Sequence, residues 1–380
     1  MINYKHINIV GNYIKFNKKK NKLVKKKILI STGGSGGHVV PALNLYNHLK
    51  NDFDVLLYTD VRGKRYIPEE IKKTIFEVKN IPEKKYLFPL KVIFLFFAFI
   101  KSLIHFRGNK IDIVISTGGY MSLPIVLAAK IYKIKIILFE PNSIIGRSNK
   151  FLLRFSSYIM CYDQDIQNNS IIPSYKKVNI DPILNNCFYS KQNTTEKKDE
   201  IFKILIMGGS QASLFFSNHL KNEIIQLSKK YKIEITQQLS PNFNINDYRK
   251  EYDENNIKNN LFFFEDNFLC KNNKFDIAIT RAGASSLAEL VHLNIPFISI
   301  PFPYATDNHQ LLNAKRYFDL NCCWILEEKN FNSEDIYKII NQIMVNKNEY
   351  FEKKNNLMKI NENKTWENFN QKIIKFLNEN

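Results

Sequence analysis

Short apolar runs alternate with amphipathic segments along most of the chain. Such alternation predicts strands and helices in turn, as in parallel α/β proteins. After the first apolar run, Val39, Leu43, Tyr46 and Leu49 recur at helical spacing, which predicts one buried helix face. Strands are predicted at 27–31, 54–58, 111–116 and 135–139 in the first half, and at 202–207, 231–236, 261–264, 275–280 and 296–300 in the second.

The two halves share a weak internal repeat of strands that lead into glycine turns. The apolar run 27–30 leads into Gly33-Gly34-Ser35, and the run 203–206 leads into Gly208-Gly209-Ser210. Further on, segment 112–119 is echoed by segment 276–283. The repeat predicts two Rossmann-like, doubly wound α/β domains that face each other across a cleft, with ligands at the carboxyl ends of the strands.

Composition and local charge suggest where these domains end. Residues 1–26 form a Lys-rich stretch without the apolar core of a secretory signal, and we expect a disordered extension. Residues 27–180 are predicted as the N-terminal domain and residues 181–350 as the C-terminal domain, with a polar linker that begins near Pro182. Residues 351–380 are predicted as helices that pack back across the domains.

Charge changes this picture only locally. The chain has 380 residues, a hydrophobic fraction of 44% and a net charge of +19, which suits contact with nucleic acid, anionic lipid or a phosphorylated substrate. General enrichment in Lys, as in AT-biased genomes, explains the global charge equally well. Only local clusters of charged residues therefore indicate a binding partner. The five cysteines show no metal-binding spacing, which indicates a reducing cytosolic compartment and no structural zinc.

The turn 33–38 (Gly-Gly-Ser-Gly-Gly-His) follows a predicted strand and opens a helix. Glycines allow close backbone approach, and a helix N-terminus presents free N–H groups, so we expect contact with a phosphate or sugar phosphate. The alternative is a purely structural turn, since neither the Walker nor the dinucleotide pattern is complete. His38 is a candidate general base, and a histidine that only caps the turn is the alternative.

The second half offers matching chemistry. The turn 208–211 could receive a diphosphate leaving group on its N–H groups and the Ser210 hydroxyl. Glu289, in the helix after the next glycine turn, is placed to hydrogen-bond ribose hydroxyls, or else is a solvated helix charge. The segment 307–310 (Asp-Asn-His-Gln) supplies donors and acceptors suited to sugar hydroxyls.

These turns, in this order, resemble the MurG family, the UDP-N-acetylglucosamine transferases that act on lipid I in peptidoglycan synthesis. The resemblance covers residues 27 to about 330 in register. The matching stretches are Gly33–His38 with Pro41, Ser116–Tyr120 with Pro124, Glu140–Asn142 through Lys150, Gly208–Gln211, Arg281–Glu289 and Pro301–Ala314.

The resemblance implies a GT-B glycosyltransferase fold, inversion at the anomeric carbon, and neither metal nor cofactor. The expected reaction moves GlcNAc from UDP-GlcNAc to the 4-hydroxyl of MurNAc in lipid I, giving lipid II at the cytoplasmic face of the bacterial inner membrane. His38 and Glu289 are the expected catalytic residues, and Tyr120 is expected near the acceptor. The expected donor residues are Ser35, Gly36, Gly37, Asn142, Ser210, Glu265, Ala284, Ser285, Ser286, Leu287, Ala288, Glu289 and Gln310.

The chain departs from the family pattern at several positions. Leu184 stands where the family usually has an arginine near the donor. A lost charge-assisted hydrogen bond is worth about 1.5–3 kcal/mol, so donor binding weaker by about tenfold or more is expected. Ala212, Pro141 and Phe139 also replace usual family residues.

Segment 91–101 is the most apolar stretch of the chain. A helix of this length falls well short of the roughly 30 Å hydrocarbon core, so a buried helix or an interfacial helix are the alternatives to consider. The interfacial reading resembles the family's membrane-docking patch and predicts a peripheral protein on anionic inner-leaflet lipid, with no nucleic-acid partner. Its expected contacts are Lys91, Phe94, Phe97 and Lys101.

Rival functions stay open from the sequence. Another GT-B transferase or a UDP-GlcNAc epimerase would use the same donor. A weakened or non-catalytic membrane-docked relative would keep the fold without the reaction. An NAD-dependent oxidoreductase has the least support, because the dinucleotide fingerprint is incomplete.

Overall fold

The computed structural model describes most of the chain. The described residues are 25–76, 88–162, 166, 171–189, 201–209, 213–265, 267–332, 334–362 and 364–380, without the side chains of 88–91. The predicted extension 1–26 lies almost entirely outside the described residues.

The first half of the chain forms a sheet of seven parallel strands. In chain order they are β1 (Lys27–Ser31), β2 (Asp54–Asp60), β3 (Lys73–Phe76), β4 (Ile113–Ser116), β5 (Lys135–Glu140), β6 (Tyr158–Cys161) and β7 (Lys177–Asn179). Their spatial order is β3-β2-β1-β4-β5-β6-β7. The winding reverses between β1 and β4, and a crevice for ligands forms at the carboxyl ends of such a pair.

The second half repeats this plan with six parallel strands. They are β8 (Phe202–Met207), β9 (Ile233–Gln238), β10 (Lys258–Phe262), β11 (Ile277–Thr280), β12 (Phe297–Ser299) and β13 (Cys323–Ile325). The spatial order is β10-β9-β8-β11-β12-β13, so the winding reverses between β8 and β11.

Helices cover the faces of both sheets, as parallel sheets require. They are α1 (Gly36–Leu49), α2 (Val61–Lys64), α3 (Phe88–Gly108), α4 (Ser122–Ile131), α5 (Arg147–Leu152), α6 (Leu214–Ser228), α7 (Ile245–Glu254), α8 (Phe268–Lys271), α9 (Ala284–His292), α10 (His309–Asp319), α11 (Asp335–Val345), α12 (Asn348–Ile360) and α13 (Trp366–Glu379).

The predicted fold class of two doubly wound α/β sheets is confirmed, and each predicted strand has a counterpart. The run predicted at 261–264 is shifted, because β10 ends at Phe262. Strands β3, β6, β7 and β13 were not predicted. All four are short and lie toward the sheet edges, where the apolar signal of a buried strand is weakest.

The face predicted for α1 is partly wrong. Its buried apolar side chains are Val39, Ala42, Leu45 and Leu49, whereas Leu43 and Tyr46 are only half-buried. Leu43 and Tyr46 still pack against the same core cluster, and spacing alone does not reveal which of two adjacent stripes faces fully inward.

One carboxylate anchors the first strand of each half in the same way. Asp112 accepts a hydrogen bond from the backbone N–H of Lys27 at 2.7 Å, and Asp276 accepts one from Lys203 at 2.7 Å. Each aspartate precedes the strand that pairs with that first strand. The internal repeat in the sequence is therefore also a repeat of contacts.

The last helix leaves the C-terminal half and packs on the N-terminal sheet. Phe369, Ile373 and Leu377 of α13 are buried in the same core cluster as Ile28 of β1. Beside them the ring of Trp366 stacks on His48 of α1, with centroids 3.7 Å apart. The tail thus ties the two halves together.

Helix α3 has an apolar face that nothing among the described residues covers. Phe96, Phe97 and Ile104 are 58%, 63% and 66% exposed, while Ala98 and Phe106 pack into the core. Within the described part of the chain, no helix is both long enough and apolar enough to cross a membrane.

Candidate active site

A cleft of about 1170 Å³ opens between the two halves and is lined by residues from both. It lies at the carboxyl ends of the central strands, where both windings reverse. The predicted site residues that line it are Ser35, Gly36, Gly37, His38, Asn142, Glu265, Ala284, Ser285, Ser286, Glu289 and Gln310.

Two glycine turns meet at the N-terminal wall. Gly118 and Gly119 follow β4 with φ of +85° and +83°, a region that favours glycine. A Cβ on Gly119 would lie 2.8 Å from the carbonyl oxygen of Gly33, and one on Gly118 would lie 3.4 Å from Cε1 of His38. The close packing of the two turns therefore depends on the absence of a side chain at Gly119, and the left-handed φ of Gly118 would strain most other residues there.

His38 is held in one orientation at the start of α1. Its Nδ1 lies 2.8 Å from the carbonyl oxygen of Thr117, which can only accept a hydrogen bond. A neutral ring therefore carries its proton on Nδ1 and leaves Nε2 unprotonated. This is the tautomer that a general base in the cleft requires.

A buried aspartate fixes the first glycine turn from behind. Oδ1 of Asp60 accepts the N–H groups of Gly34 at 3.0 Å and Gly63 at 2.7 Å, and Oδ2 accepts Arg62 Nη2 at 3.1 Å. This residue was missed in the sequence analysis. Its one available sequence signal is its place at the end of the apolar strand β2, three residues before Gly63.

Glu140 organises the turn that carries Asn142. It is 1% exposed, and its two oxygens accept hydrogen bonds from the backbone and side chain of Asn142, from the Gly146 N–H and from the Asn149 amide. Four donors compensate the buried charge. Asn142 is thereby presented to the cleft at a fixed position.

Asn313 of α10 links the two halves, a role that the sequence analysis missed. Its Oδ1 accepts the Ser143 N–H at 2.8 Å, and its Nδ2 donates to Asn142 Oδ1 at 3.1 Å and to Ala282 O at 3.0 Å. All of the amide's polar atoms are satisfied in a buried position. Such complementarity between distant segments leaves no local sequence signal.

In the C-terminal wall, the first turn after β8 is supported by a side chain from β9. Gln238 accepts the Gly208 N–H at 3.0 Å, and Gly209 has a φ of +78° with open space where a Cβ would be. Ser210 lies outside the described residues.

Helix α9 begins at the cleft without a side-chain cap, since Gly283 is the residue before it. The N–H groups of its first turn, at Ala284, Ser285 and Ser286, are therefore available to an anion.

Two of the expected donor residues do not face the cleft. The side chains of Leu287 and Ala288 are 0% and 3% exposed and belong to the core cluster beneath the sheet. Residues 284–286 and Glu289 occupy the cleft side of α9 because a helix turns its face every three to four residues. Any contact of Leu287 or Ala288 with a donor would therefore be through their backbone, and their place in the donor site stays a prediction.

Glu289 carries the most perturbed carboxyl of the cleft. Burial raises its pKa to about 7, from an ordinary value of 4.5. No neighbouring charge contributes to this shift. A ligand that donates hydrogen bonds to the carboxylate would therefore stabilise its ionised form.

Gln310 of α10 is oriented by backbone donors. Its Oε1 accepts the N–H groups of Ala282 at 3.2 Å and Phe302 at 3.0 Å. The carbonyl oxygen is thus occupied, and the side-chain NH₂ is left to donate to a ligand in the cleft.

The remaining predicted residues lie at the edges. Glu265 lines the cleft and pairs with Lys271 at 2.8 Å. Tyr120 is 38% exposed, follows Gly119 and is not among the described residues that line the cleft. On α3, Phe94 is half-buried and Lys101 donates to the carbonyl oxygen of Ile75 at 3.1 Å, while the side chain of Lys91 lies outside the described residues.

Leu184 is 2% exposed and packs in the core of the C-terminal half. Nearby, Cys187 and Cys270 form a disulfide with Cα atoms 5.6 Å apart. The two cysteines are 83 residues apart in the sequence, and no spacing pattern predicted that they pair. A disulfide was also not expected in the predicted reducing compartment.

Two facing doubly wound sheets with glycine turns at a shared cleft are the two-domain α/β architecture of GT-B glycosyltransferases. Residues 28–161 match the family described as "Glycosyltransferase family 28 N-terminal domain", and residues 203–369 match "Glycosyltransferase family 28 C-terminal domain". The chain belongs to glycosyltransferase family 28 and, within it, to the MurG family. The resemblance inferred from the motifs is thus confirmed.

Curated relatives match over nearly their whole length. A protein of Pelagibacter ubique is 44% identical over 93% of this chain and 99% of its own length. One of Rickettsia felis is 33% identical over 82% and 89%. Both are named "UDP-N-acetylglucosamine--N-acetylmuramyl-(pentapeptide) pyrophosphoryl-undecaprenol N-acetylglucosamine transferase".

Solved structures agree on the fold. Acinetobacter baumannii MurG matches with a TM-score of 0.72 at 21% identity, over 93% of this chain and 100% of that one. The UDP-GlcNAc 2-epimerase of Neisseria meningitidis, bound to UDP-GlcNAc, matches with a TM-score of 0.65 at 15% identity, over 93% and 100%.

Replacing Glu289 by glutamine is expected to raise the free energy of unfolding, and to do so more at about pH 8 than at about pH 5. The folded-state pKa of about 7 lies above the ordinary 4.5. The proton on Glu289 therefore stabilises the folded parent fully below pH 4.5. This stabilisation is lost as the pH rises through the folded-state pKa of about 7. Glutamine does not ionise, so the difference between variant and parent should widen over this range.

Urea titrations at both pH values measure this difference. The control is Glu367→Gln, at an exposed position of α13. It should leave the pH dependence of the free energy of unfolding as it is in the parent. A difference between E289Q and parent that stays constant with pH would contradict the assignment.

Proposed function

We propose that this chain is an inverting glycosyltransferase that moves GlcNAc from UDP-GlcNAc to the 4-hydroxyl of MurNAc in lipid I, giving lipid II. The observation that carries the proposal is the 44% identity, over 93% of the chain, with a protein named as that transferase. The cleft supports it, because nucleotide-sugar chemistry needs a large site with anion-binding turns, and both walls supply them.

In the proposed reaction, Nε2 of His38 removes the proton from the acceptor hydroxyl as its oxygen attacks the anomeric carbon of GlcNAc. The bond from that carbon to the diphosphate oxygen breaks, and UDP leaves with the electron pair. Thr117 O holds the imidazole in the required tautomer. Attack from the face opposite the leaving group inverts the anomeric centre.

The proposed donor site uses the C-terminal wall. The N–H groups at the start of α9 stabilise charge on the leaving diphosphate, an electrostatic contribution that is usually the largest in such reactions. The Glu289 carboxyl accepts ribose hydroxyls, and the Gln310 NH₂ donates to the sugar. Asn142 reaches the donor from the opposite wall.

Transfer is favoured over epimerisation of UDP-GlcNAc. The epimerase likeness is at 15% identity and concerns the fold alone, whereas the relatives at 33–44% identity carry the transferase name. The two reactions differ in products, since an epimerase needs no lipid acceptor.

We further propose that residues 27–180 bind the acceptor and residues 181–350 the donor, with α3 resting on anionic lipid at the cytoplasmic face of the inner membrane. The exposed aromatic residues Phe96 and Phe97 lie on the same helix α3 as the cations Lys101 and Arg107. This combination suits the headgroup boundary. A lipid-linked acceptor presents its diphosphate sugar at that surface.

Purified protein incubated with labelled UDP-GlcNAc and a lipid I analogue tests the reaction directly. Radiolabel is expected in the lipid fraction as a disaccharide. Conversion of UDP-GlcNAc without acceptor would favour the epimerase, and a folded protein that neither transfers nor converts would favour a non-catalytic relative.

Replacing His38 by alanine is expected to lower kcat by about 10²–10⁴-fold, the usual contribution of a general base. Calorimetric binding of UDP-GlcNAc should change little, because the imidazole is proposed to act on the acceptor. His219, which also lines the cleft, provides a histidine control whose alanine variant should keep the parent's dependence of kcat on pH. A variant at position 38 with full kcat would exclude the proposed base.

Replacing Phe97 by aspartate is expected to abolish cosedimentation with phosphatidylglycerol vesicles, because a charge would replace an apolar side chain that is 63% exposed. Val345 of α11, which is 71% exposed, offers the matched control as Val345→Asp. Equal vesicle binding by the Phe97 variant and the parent would refute docking through α3.

A further inference from the structure

An ion pair joins the two halves at the mouth of the cleft. Arg147, the first residue of α5, donates from Nε to Asp307 Oδ2 at 3.2 Å and from Nη2 to Asp307 Oδ1 at 3.1 Å. Two parallel hydrogen bonds between a guanidinium and a carboxylate fix orientation as well as distance. Both residues line the cleft, from opposite walls.

The aspartate belongs to an unusual turn. Asp307 and Asn308 both have left-handed backbones, with φ of +54°. Two consecutive non-glycine residues in this region are rare, although Asp and Asn tolerate it best. The turn leads directly into α10, whose second residue is Gln310. The direction in which Gln310 enters the cleft therefore depends on this left-handed turn, which is strained even with Asp and Asn in it.

Helix α10 and the turn before it contact the N-terminal half through Asn313, Arg316 and Asp307, which differ in burial. Asn313 is 3% exposed, and Arg316 donates from Nη2 to the carbonyl oxygen of Tyr162 at 2.8 Å in a partly buried position. The Arg147–Asp307 pair is the outermost, with side chains 75% and 35% exposed. An exposed ion pair exchanges readily with water, whereas buried hydrogen bonds do not.

We propose that Arg147 is a positioning residue for the donor sugar. Its pair with Asp307 closes the mouth of the cleft over a bound nucleotide sugar and holds the turn that aims Gln310 at the sugar hydroxyls. The inner contacts of Asn313 and Arg316 keep α10 docked while the outer pair opens for substrate entry. This inference rests on the proposed donor, UDP-GlcNAc.

Calorimetry of UDP-GlcNAc and of UDP, on the full chain, separates the sugar from the nucleotide. Arg147→Gln and Asp307→Asn are each expected to raise the Kd for UDP-GlcNAc about three- to tenfold, as for a bidentate pair near the surface. Asparagine keeps the left-handed backbone accessible, so D307N removes charge without adding strain. The Kd for UDP should stay within about twofold of the parent.

Coupling between the two positions provides the second criterion. The double variant should bind UDP-GlcNAc no more weakly than either single variant, because each change already breaks the same pair. High salt should weaken the parent's preference for UDP-GlcNAc over UDP and leave that preference unchanged in the variants. Lys150, exposed on the same helix, gives the matched control as Lys150→Gln.

The outcomes separate the two proposals. Failure of the parent chain to bind UDP-GlcNAc would remove the proposed donor. Normal binding by the parent together with unchanged Kd values in both single variants, or with effects that add in the double variant, would overturn the role of Arg147. Equal weakening of UDP and UDP-GlcNAc would also overturn it, since that result places the effect on the nucleotide. Circular dichroism of each variant confirms that binding is compared between folded proteins.

Discussion

The N-terminal wall of the cleft depends on backbone packed directly against backbone. Gly119 leaves no room for a side chain, because its Cβ would meet the Gly33 carbonyl oxygen at 2.8 Å. This contact brings the turn after β4 onto the turn after β1, so that Thr117 can orient His38 and both turns line the same cleft. The reversal of winding between β1 and β4 forms the crevice, and the glycines without Cβ atoms allow the two turns to pack closely at its wall.

Buried side chains then convert these flexible turns into a rigid site. Asp60 holds the first turn, Glu140 holds the turn of Asn142, and Gln238 holds the turn after β8. Each sits at or just beyond the end of a strand, where a polar group meets several unpaired N–H groups. Glycine-rich backbone is entropically costly to order, so this support sets how well the site is preorganised.

The sequence predicted the fold through patterns that are local, and missed what is distant. Continuous apolar strands such as β1 and β8 were predicted correctly because burial on both faces leaves a strong signal. Short strands near the edges, such as β13, leave little. The paired glycine turns located the cleft and His38 for the same local reason. Asn313, by contrast, matters because three segments from both halves converge on it, and no spacing rule encodes that. Leu287 and Ala288 stand in the same motif as the cleft-lining residues 284–286, but the helix turns their side chains toward the core, which the linear motif does not reveal.

Leu184 shows how the same structure changes an expectation about donor binding. Its side chain fills the core, and its carbonyl oxygen lies 3.0 Å from Nε2 of His48, at the contact with α13. Position 184 in this chain therefore serves packing between the halves. The cation that the family pattern leads one to expect is worth about 1.5–3 kcal/mol as a charge-assisted hydrogen bond. The N-termini of α6 and α9 both begin at cleft-lining residues, and a helix end contributes about 0.3–2 kcal/mol to an anion beside it. These helix ends belong to the fold itself and add to the arginine rather than replace it, so the weaker donor binding expected from Leu184 stays a prediction.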